Sequence, residues 1–219
     1  MPTTRADAVA VLRYAVFTDR TYAGNPLAVV IGPPPLADAQ MQRIAGELNL
    51  SETVFLTDLG GKSWRARIFT PAIELRFAGA GVPHTMVGLR DVDALERAEL
   101  DLAAWRHGVG CSDAPDLYLL APVDGVRGAR WRARMFGPVI GVAEDPATGS
   151  AAAAACGYLA GVVGEHRLEE GWTIEQGVEV GRPSEIRVQA VRRGNELVAV
   201  RVGGRAVRVG TGELLIPQP

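Results

Sequence analysis

Residues 143–161 read Ala-Glu-Asp-Pro-Ala-Thr-Gly-Ser-Ala-Ala-Ala-Ala-Ala-Cys-Gly-Tyr-Leu-Ala-Gly. Two acids and a proline lead through Thr148-Gly149-Ser150 into almost pure alanine, the strongest helix former because it loses no side-chain entropy. The stretch therefore predicts a tight turn feeding a helix near 149–162, with Ser150 and the residues before it as capping groups. Gly149 lets a ligand approach the backbone. The first turn offers free N–H groups and the positive end of the helix dipole, a seat for a carboxylate or phosphate. Apart from the Tyr158 hydroxyl, nothing polar lies between Ala151 and Gly164, so the helix is expected to be buried all round, as a central helix wrapped by sheet. The alanines read as core. Asp145, Thr148, Gly149 and Ser150 read as a site.

Strands are expected on both sides of this helix. Residues 8–17 and 27–31 have strand composition, and a helix from about Asp38 carries Met41, Ile44, Ala45 and Leu48 on one face, with Asn49 to end it. Residues 50–56 form another strand. Alternation places Glu52 on one face with Leu50, Val54 and Leu56, an acid in an apolar row. Either Glu52 is desolvated, which raises its pKa toward the range useful for acid–base work, or it sits at an edge and reaches water. Residues 93–107 predict a single helix with Asp93 and Glu96 in capping-box spacing and Leu95, Ala98, Leu102 and Trp105 as its buried stripe. Leu117–Leu120 reads as a strand, and short strands follow near 172–176, 184–191, 196–202, 205–209 and 213–216, punctuated by glycine.

The chain also repeats itself. Trp-Arg-Ala-Arg-Ile-Phe-Thr-Pro at 64–71 returns as Trp-Arg-Ala-Arg-Met-Phe-Gly-Pro at 131–138, six of eight positions identical at an offset of 67. Each copy alternates Trp, Ala and Ile or Met against Arg, Arg and Phe. Two similar halves around a pseudo-twofold follow, with a site in the cleft between them. The second copy leads to the alanine helix. The first leads to Ala78-Gly79-Ala80 and then directly to another strand, Gly81–Leu89, so the first half lacks its central helix.

With 219 residues, 47% hydrophobic and 22% charged, the chain is one large or two small domains. A net charge of −2 gives no sign of a nucleic-acid or anionic-membrane partner. The apolar run at 151–164 is too short to span a bilayer. Cys111 and Cys156 lie in no motif, which fits a reduced, cytoplasmic setting. His84, His107 and His166 are widely spaced, so no metal site is expected.

Several stretches together resemble the PhzF-like isomerases, which share the diaminopimelate epimerase fold. They are Val16-Phe17-Thr18-Asp19 through Gly24-Asn25-Pro26, Leu48-Asn49-Leu50-Ser51-Glu52-Thr53, Arg67-Ile68-Phe69-Thr70-Pro71 to Phe77-Ala78-Gly79, and Arg134-Met135-Phe136. Glu144-Asp145-Pro146-Ala147-Thr148-Gly149-Ser150 and Glu175-Gln176-Gly177 with Gly181-Arg182-Pro183 complete the set. The resemblance implies an α+β fold of two barrel-like halves, residues 1–80 and 81–219, each a sheet curled round a central helix. It implies a cofactor-free isomerase, often dimeric, that moves a proton between carbons of a small cyclic or amino/hydroxy acid. The family's catalytic glutamate falls on Glu52, and its aspartate and serine in the second half fall on Asp145 and Ser150; Glu52 and Asp145 are expected to be catalytic, and Gly79, Thr148, Gly149 and Ser150 to bind the substrate. The family's two-thiol epimerase relatives use a cysteine pair, and neither cysteine here falls in those turns. One departure is marked: the family's Phe-x-Gly-His-Pro is here Phe77-Ala78-Gly79-Ala80-Gly81, without the histidine. The alternative is a non-catalytic remnant that binds small molecules or partners. An open apolar sheet in the first half predicts a homodimer.

Overall fold

The computed structural model describes residues 7–32, 34–60, 63–71, 74–75, 83–139, 141–163 and 167–218. Two mixed sheets, each with an outer helix, make up the described fold. The first sheet runs β13-β1-β2-β3-β4-β5, from β1 (Ala8–Val16), β2 (Asn25–Ile31), β3 (Glu52–Asp58), β4 (Trp64–Phe69), β5 (Glu74–Leu75) and β13 (Ala206–Leu215). The second runs β12-β11-β10-β8-β7-β6, from β6 (His84–Gly88), β7 (Asp116–Pro122), β8 (Arg130–Gly137), β10 (Glu169–Gln176), β11 (Ser184–Arg193) and β12 (Glu196–Gly203). A short β9 (Val142–Asp145) pairs with β8. The C-terminal strand β13 thus lies in the first sheet, beside β1, although it comes from beyond residue 80.

Helix α1 (Asp38–Leu48) forms where the apolar spacing predicts. Gln40 accepts from the Ala37 N–H at its start, and Asn49 ends it in the left-handed region at φ 47°. Its Met41, Ile44 and Ala45 pack on Val30, Phe55 and Phe69 of the first sheet. Helix α4 (Gly149–Val162) packs Ala151, Ala152, Ala155, Cys156 and Leu159 against Tyr118, Trp131, Met135 and Ile174 of the second. Alanine lets the strands approach closely.

Some sequence expectations change. Helix α4 is buried on one side only: Ala154, Tyr158 and Val162 are exposed, because a sheet curled over one face leaves the other free. Its N-cap is Thr148, whose side chain makes no capping bond. The helix expected over 93–107 is two, α2 (Val92–Glu96) and α3 (Leu102–His107), because Asp91 and Asp101 each cap a new start. Leu102 is consequently exposed rather than part of a buried stripe. The last two short strands are one, β13, with a register shift opposite Arg13/Tyr14.

The two halves differ in what covers them. The second sheet has α4 on one face and α2, through Leu95, on the other. The first has α1 on one face. Its other face carries Val29, Val54 and Ile68 across three paired strands, all half-buried, with Ile31 and Trp64 exposed. Eight residues, 76–83, lie between β5 and β6, against the 14 that make up α4.

Candidate active site

The site forms where the halves meet. The junction is held by backbone: Glu185 N–H donates to Phe17 C=O (2.8 Å), Gly24 N–H to Pro183 C=O (3.3 Å), and the Arg182 guanidinium to the carbonyls of Gly24 (2.8 Å) and Ala23 (3.1 Å). This register brings the start of β3 against the end of β9. Ser51 Oγ, from the first half, lies 3.5 Å from Asp145 Oδ1 of the second.

Glu52 opens β3, beside Leu27 of β2. It is half-buried, and its pKa is pushed up to about 7, first by loss of solvent and then by the neighbouring Asp145 charge. Buried Asn25 opposes this by donating Nδ2–H to Glu52 Oε2 at 2.6 Å. Of the two readings open for Glu52, the desolvated carboxylate is the one the structure adopts. Asp145 ends β9, is buried, and is pushed up to about 6 by desolvation. Hydrogen bonds from Thr148 Oγ1 (2.5 Å), Ser51 and the Ala147 backbone pull the other way. Burial thus makes both carboxylates hard to ionise, and the charge of Asp145 adds to the effect at Glu52.

The turn beneath them is fixed from below by Gln176 at the end of β10, which has no exposed surface. Its Nε2 donates to Asp145 C=O (2.7 Å) and Thr148 Oγ1 (3.0 Å). Its Oε1 accepts from Thr148 N–H (3.2 Å) and Tyr118 Oη (3.1 Å). Ser184 Oγ holds Pro146 C=O at 2.9 Å. Gly177 is in the left-handed region, where an added Cβ would lie 2.4 Å from that same carbonyl, so no other residue fits there.

The remaining expected residues fall as follows. Thr148 spends its hydroxyl on Asp145, so it positions that carboxylate. Gly149 is the first residue of α4; its open side faces the Phe17 ring, 3.4 Å from an ideal Cβ position. Ser150 Oγ lies 3.2 Å from His84 Nε2. Gly79 lies outside the described residues. Among the described residues, no group of three His, Cys, Asp or Glu side chains could hold a metal ion, and no helix is long and apolar enough to cross a membrane. Asn25, Gln176 and His84 were not singled out by sequence reasoning as site residues. Asn25 and Gln176 lie in Gly-Asn-Pro and Glu-Gln-Gly stretches that carry the resemblance but name no role for these side chains, and their roles depend on strands that pair far apart in the chain.

The model of the family described as "Phenazine biosynthesis-like protein" (PhzC-PhzF) matches residues 14–82 and 80–212. The chain belongs to this family. It is similar to an uncharacterised isomerase of Mesorhizobium japonicum, 30% identical, covering 94% of this chain and 98% of the relative. It is also similar to the trans-2,3-dihydro-3-hydroxyanthranilate isomerase of Pseudomonas fluorescens, 32% identical, covering 88% of this chain and 94% of that one. In fold it matches the Bacillus anthracis phenazine biosynthesis protein of the PhzF family, with a TM-score of 0.81, 18% identity and coverage of 95% and 99%. The first of these alignments runs over 302 positions against 219 residues, so at least 83 positions have no residue in this PhzF-family chain. The two family matches meet at 80–82, where the repeat already indicated the loss of a helix.

Proposed function

We propose that this PhzF-family protein is a cofactor-independent isomerase that moves a proton between two carbons of a small cyclic acid. The observation that carries this is the pair of carboxylates, one from each half, desolvated side by side with pKa values pushed up to about 7 and about 6. Glu52 as carboxylate takes a proton from one carbon, the C–H electron pair moves through the adjacent unsaturated system, and Glu52 returns the proton at a second carbon. No net redox change occurs. Asp145 holds or releases the proton that keeps Glu52 in the right state. The amides of Gly149 and Ser150, at the start of α4, hold the substrate carboxylate, where preorganised donors stabilise developing negative charge. The two halves divide near residue 80, with the last strand returning to the first. Exposed Cys111 and buried Cys156 are both free thiols, in keeping with a reduced, cytoplasmic setting.

The test is carbon-bound deuterium in trans-2,3-dihydro-3-hydroxyanthranilate, the compound named for the Pseudomonas relatives, after incubation in D₂O. Glu52→Gln keeps the shape and removes the proton acceptor. Incorporation is expected to fall about 10²–10⁴-fold; undiminished incorporation overturns the assignment.

A second reading, a binding protein that no longer turns over its ligand, is favoured by one observation: the uncovered face of the first sheet beside Glu52. Saturable binding without deuterium incorporation in the wild-type chain would select it. On either reading we propose a homodimer, with a second copy covering that face. Between Leu27 and Trp64 the paired positions on it are apolar apart from Glu52 at one end and Asp58 at the other, so the second copy covers its apolar centre, Val29, Val54 and Ile68. Light scattering at micromolar concentration should give twice the chain mass. A monomer that binds no apolar dye rules out the covered-face arrangement.

A further inference from the structure

His84 enters β6 at the point where the chain passes from one family match to the next, and it faces the site. Its Nε2 contacts Ser150 Oγ at 3.2 Å, on the second residue of α4. Its other ring nitrogen, Nδ1, is sealed from solvent and has no hydrogen-bond partner. The strand beside it is β7, parallel, and the residue in register with His84 is Asp116. Asp116 lies on the same face of β7 as Tyr118 and Leu120, the face that packs on α4, and is buried. Its Oδ1 is likewise sealed and without a partner.

Two orphaned polar atoms on neighbouring, register-paired residues each lose solvation without a replacement partner. The arrangement that satisfies both puts a hydrogen on Nδ1, facing the Asp116 carboxylate directly or across one water. Burial pushes the His84 pKa down, so near neutral pH the ring carries one hydrogen. With that hydrogen on Nδ1, Nε2 is an acceptor, and it takes the Ser150 hydroxyl hydrogen. Ser150 Oγ then presents only lone pairs to the site.

We propose that His84, with Asp116 behind it, is a specificity-determining residue: it makes Ser150 Oγ an obligate acceptor, so the site selects acids that carry an amino or hydroxyl donor beside the carboxylate. This rests on the proposed carboxylate seat at the start of α4. It assigns the α4 amides to the carboxylate and the Ser150 side chain to the neighbouring donor.

Two non-reacting ring acids test it, anthranilate, which has the adjacent amino donor, and benzoate, which lacks it. The wild-type chain should bind anthranilate about tenfold more tightly than benzoate, the range of one hydrogen bond. In His84→Leu, where the Ser150 hydroxyl is free to donate as well as accept, the ratio should shrink severalfold. Asp116→Asn, whose amide oxygen still accepts from Nδ1, should keep the preference, and Asp116→Leu should lose it. An unchanged ratio in a folded His84→Leu overturns the assignment. If the variants do not fold, ¹⁵N shifts of the wild-type imidazole decide the matter: hydrogen on Nδ1 supports the proposal and hydrogen on Nε2 overturns it. Failure of both acids to bind the wild-type chain would instead remove the carboxylate seat, and the tautomer would still decide His84 by itself.

Discussion

Trp64-Arg-Ala-Arg in β4 and Trp131-Arg-Ala-Arg in β8 are the same four residues on equivalent strands of two half-barrels. Their outer faces behave alike. Arg67 lies 5.2 Å over the Phe69 ring and pairs with Asp38 of α1; Arg134 lies 4.9 Å over Phe136 and donates to the C=O groups of Leu95 and Ala98 around the end of α2. The inner faces do not. Trp131 is 5% exposed under α4 and Ala133 is fully buried, whereas Trp64 is 52% exposed and Ala66 lies open. Identical local sequence therefore takes identical strand geometry. Whether its apolar side becomes a core depends on a helix supplied from elsewhere.

The comparison can be broken most directly at the tryptophans. Trp131→Ala should cost about 3–5 kcal/mol in urea unfolding, while Trp64→Ala should cost under about 1 kcal/mol in the isolated chain. A large loss at Trp64 that grows with protein concentration would show that a second copy buries it. The arginines should differ in the same direction. Arg134 and its bidentate partner Glu144 have side chains 10% and 11% exposed, so Arg134→Ala leaves a buried carboxylate and should cost about 3–5 kcal/mol. Asp38, the partner of Arg67, is 66% exposed, and surface pairs are worth about 0–1 kcal/mol. Crowding tests the inner faces again: Ala133→Leu should overpack α4 and cost about 1–3 kcal/mol, and Ala66→Leu should stay within about 0.5 kcal/mol.

The smallest effect concerns the acids that bridge the halves. Both have folded pKa values raised above their ordinary ones, from 4.5 to about 7 for Glu52 and from 3.8 to about 6 for Asp145. The folded chain therefore binds more protons than the unfolded chain between about pH 4 and 7, and stability falls as pH rises through that window. Glu52→Gln should be more stable than wild type at pH 8, by about 1–2 kcal/mol, and the gain should vanish near pH 4. Because the Asp145 charge helps raise Glu52, Asp145→Asn should move the acidic limb of any pH–rate profile downward. A gain from Glu52→Gln that is equal at pH 4 and pH 8 would mean Glu52 is not desolvated.

Much of this was legible in the chain. Alternation at Trp64 and Trp131, the spacing of Met41, Ile44 and Ala45, and the left-handed Asn49 are set by neighbours within one or two turns, and the structure follows them. The repeat and the jump from Gly79 to Gly81 pointed to an absent helix, and the two family matches meet at residues 80–82. The two misreadings have different causes. The 93–107 stretch has helical periodicity, but Asp101 offers its carboxylate to the N–H groups of Ala103 and Ala104, and that competition starts a new helix. Burial of α4 on every side was read from its uniform apolarity, yet alanine composition does not state how many faces have a neighbour.

The amino-acid sequence by itself determined most of the strands, the helices α1 and α4, the Trp-Arg-Ala-Arg repeat, and Glu52 and Asp145 as the acids to watch. These follow from local periodicity and residue chemistry. Only the tertiary structure decided that the two carboxylates lie together, that Gln176 holds their turn from 31 residues beyond Asp145, and that His84 meets Ser150 across 66 residues. Such contacts depend on strand register and on the backbone bonds at the junction of the halves, which no short stretch of sequence encodes.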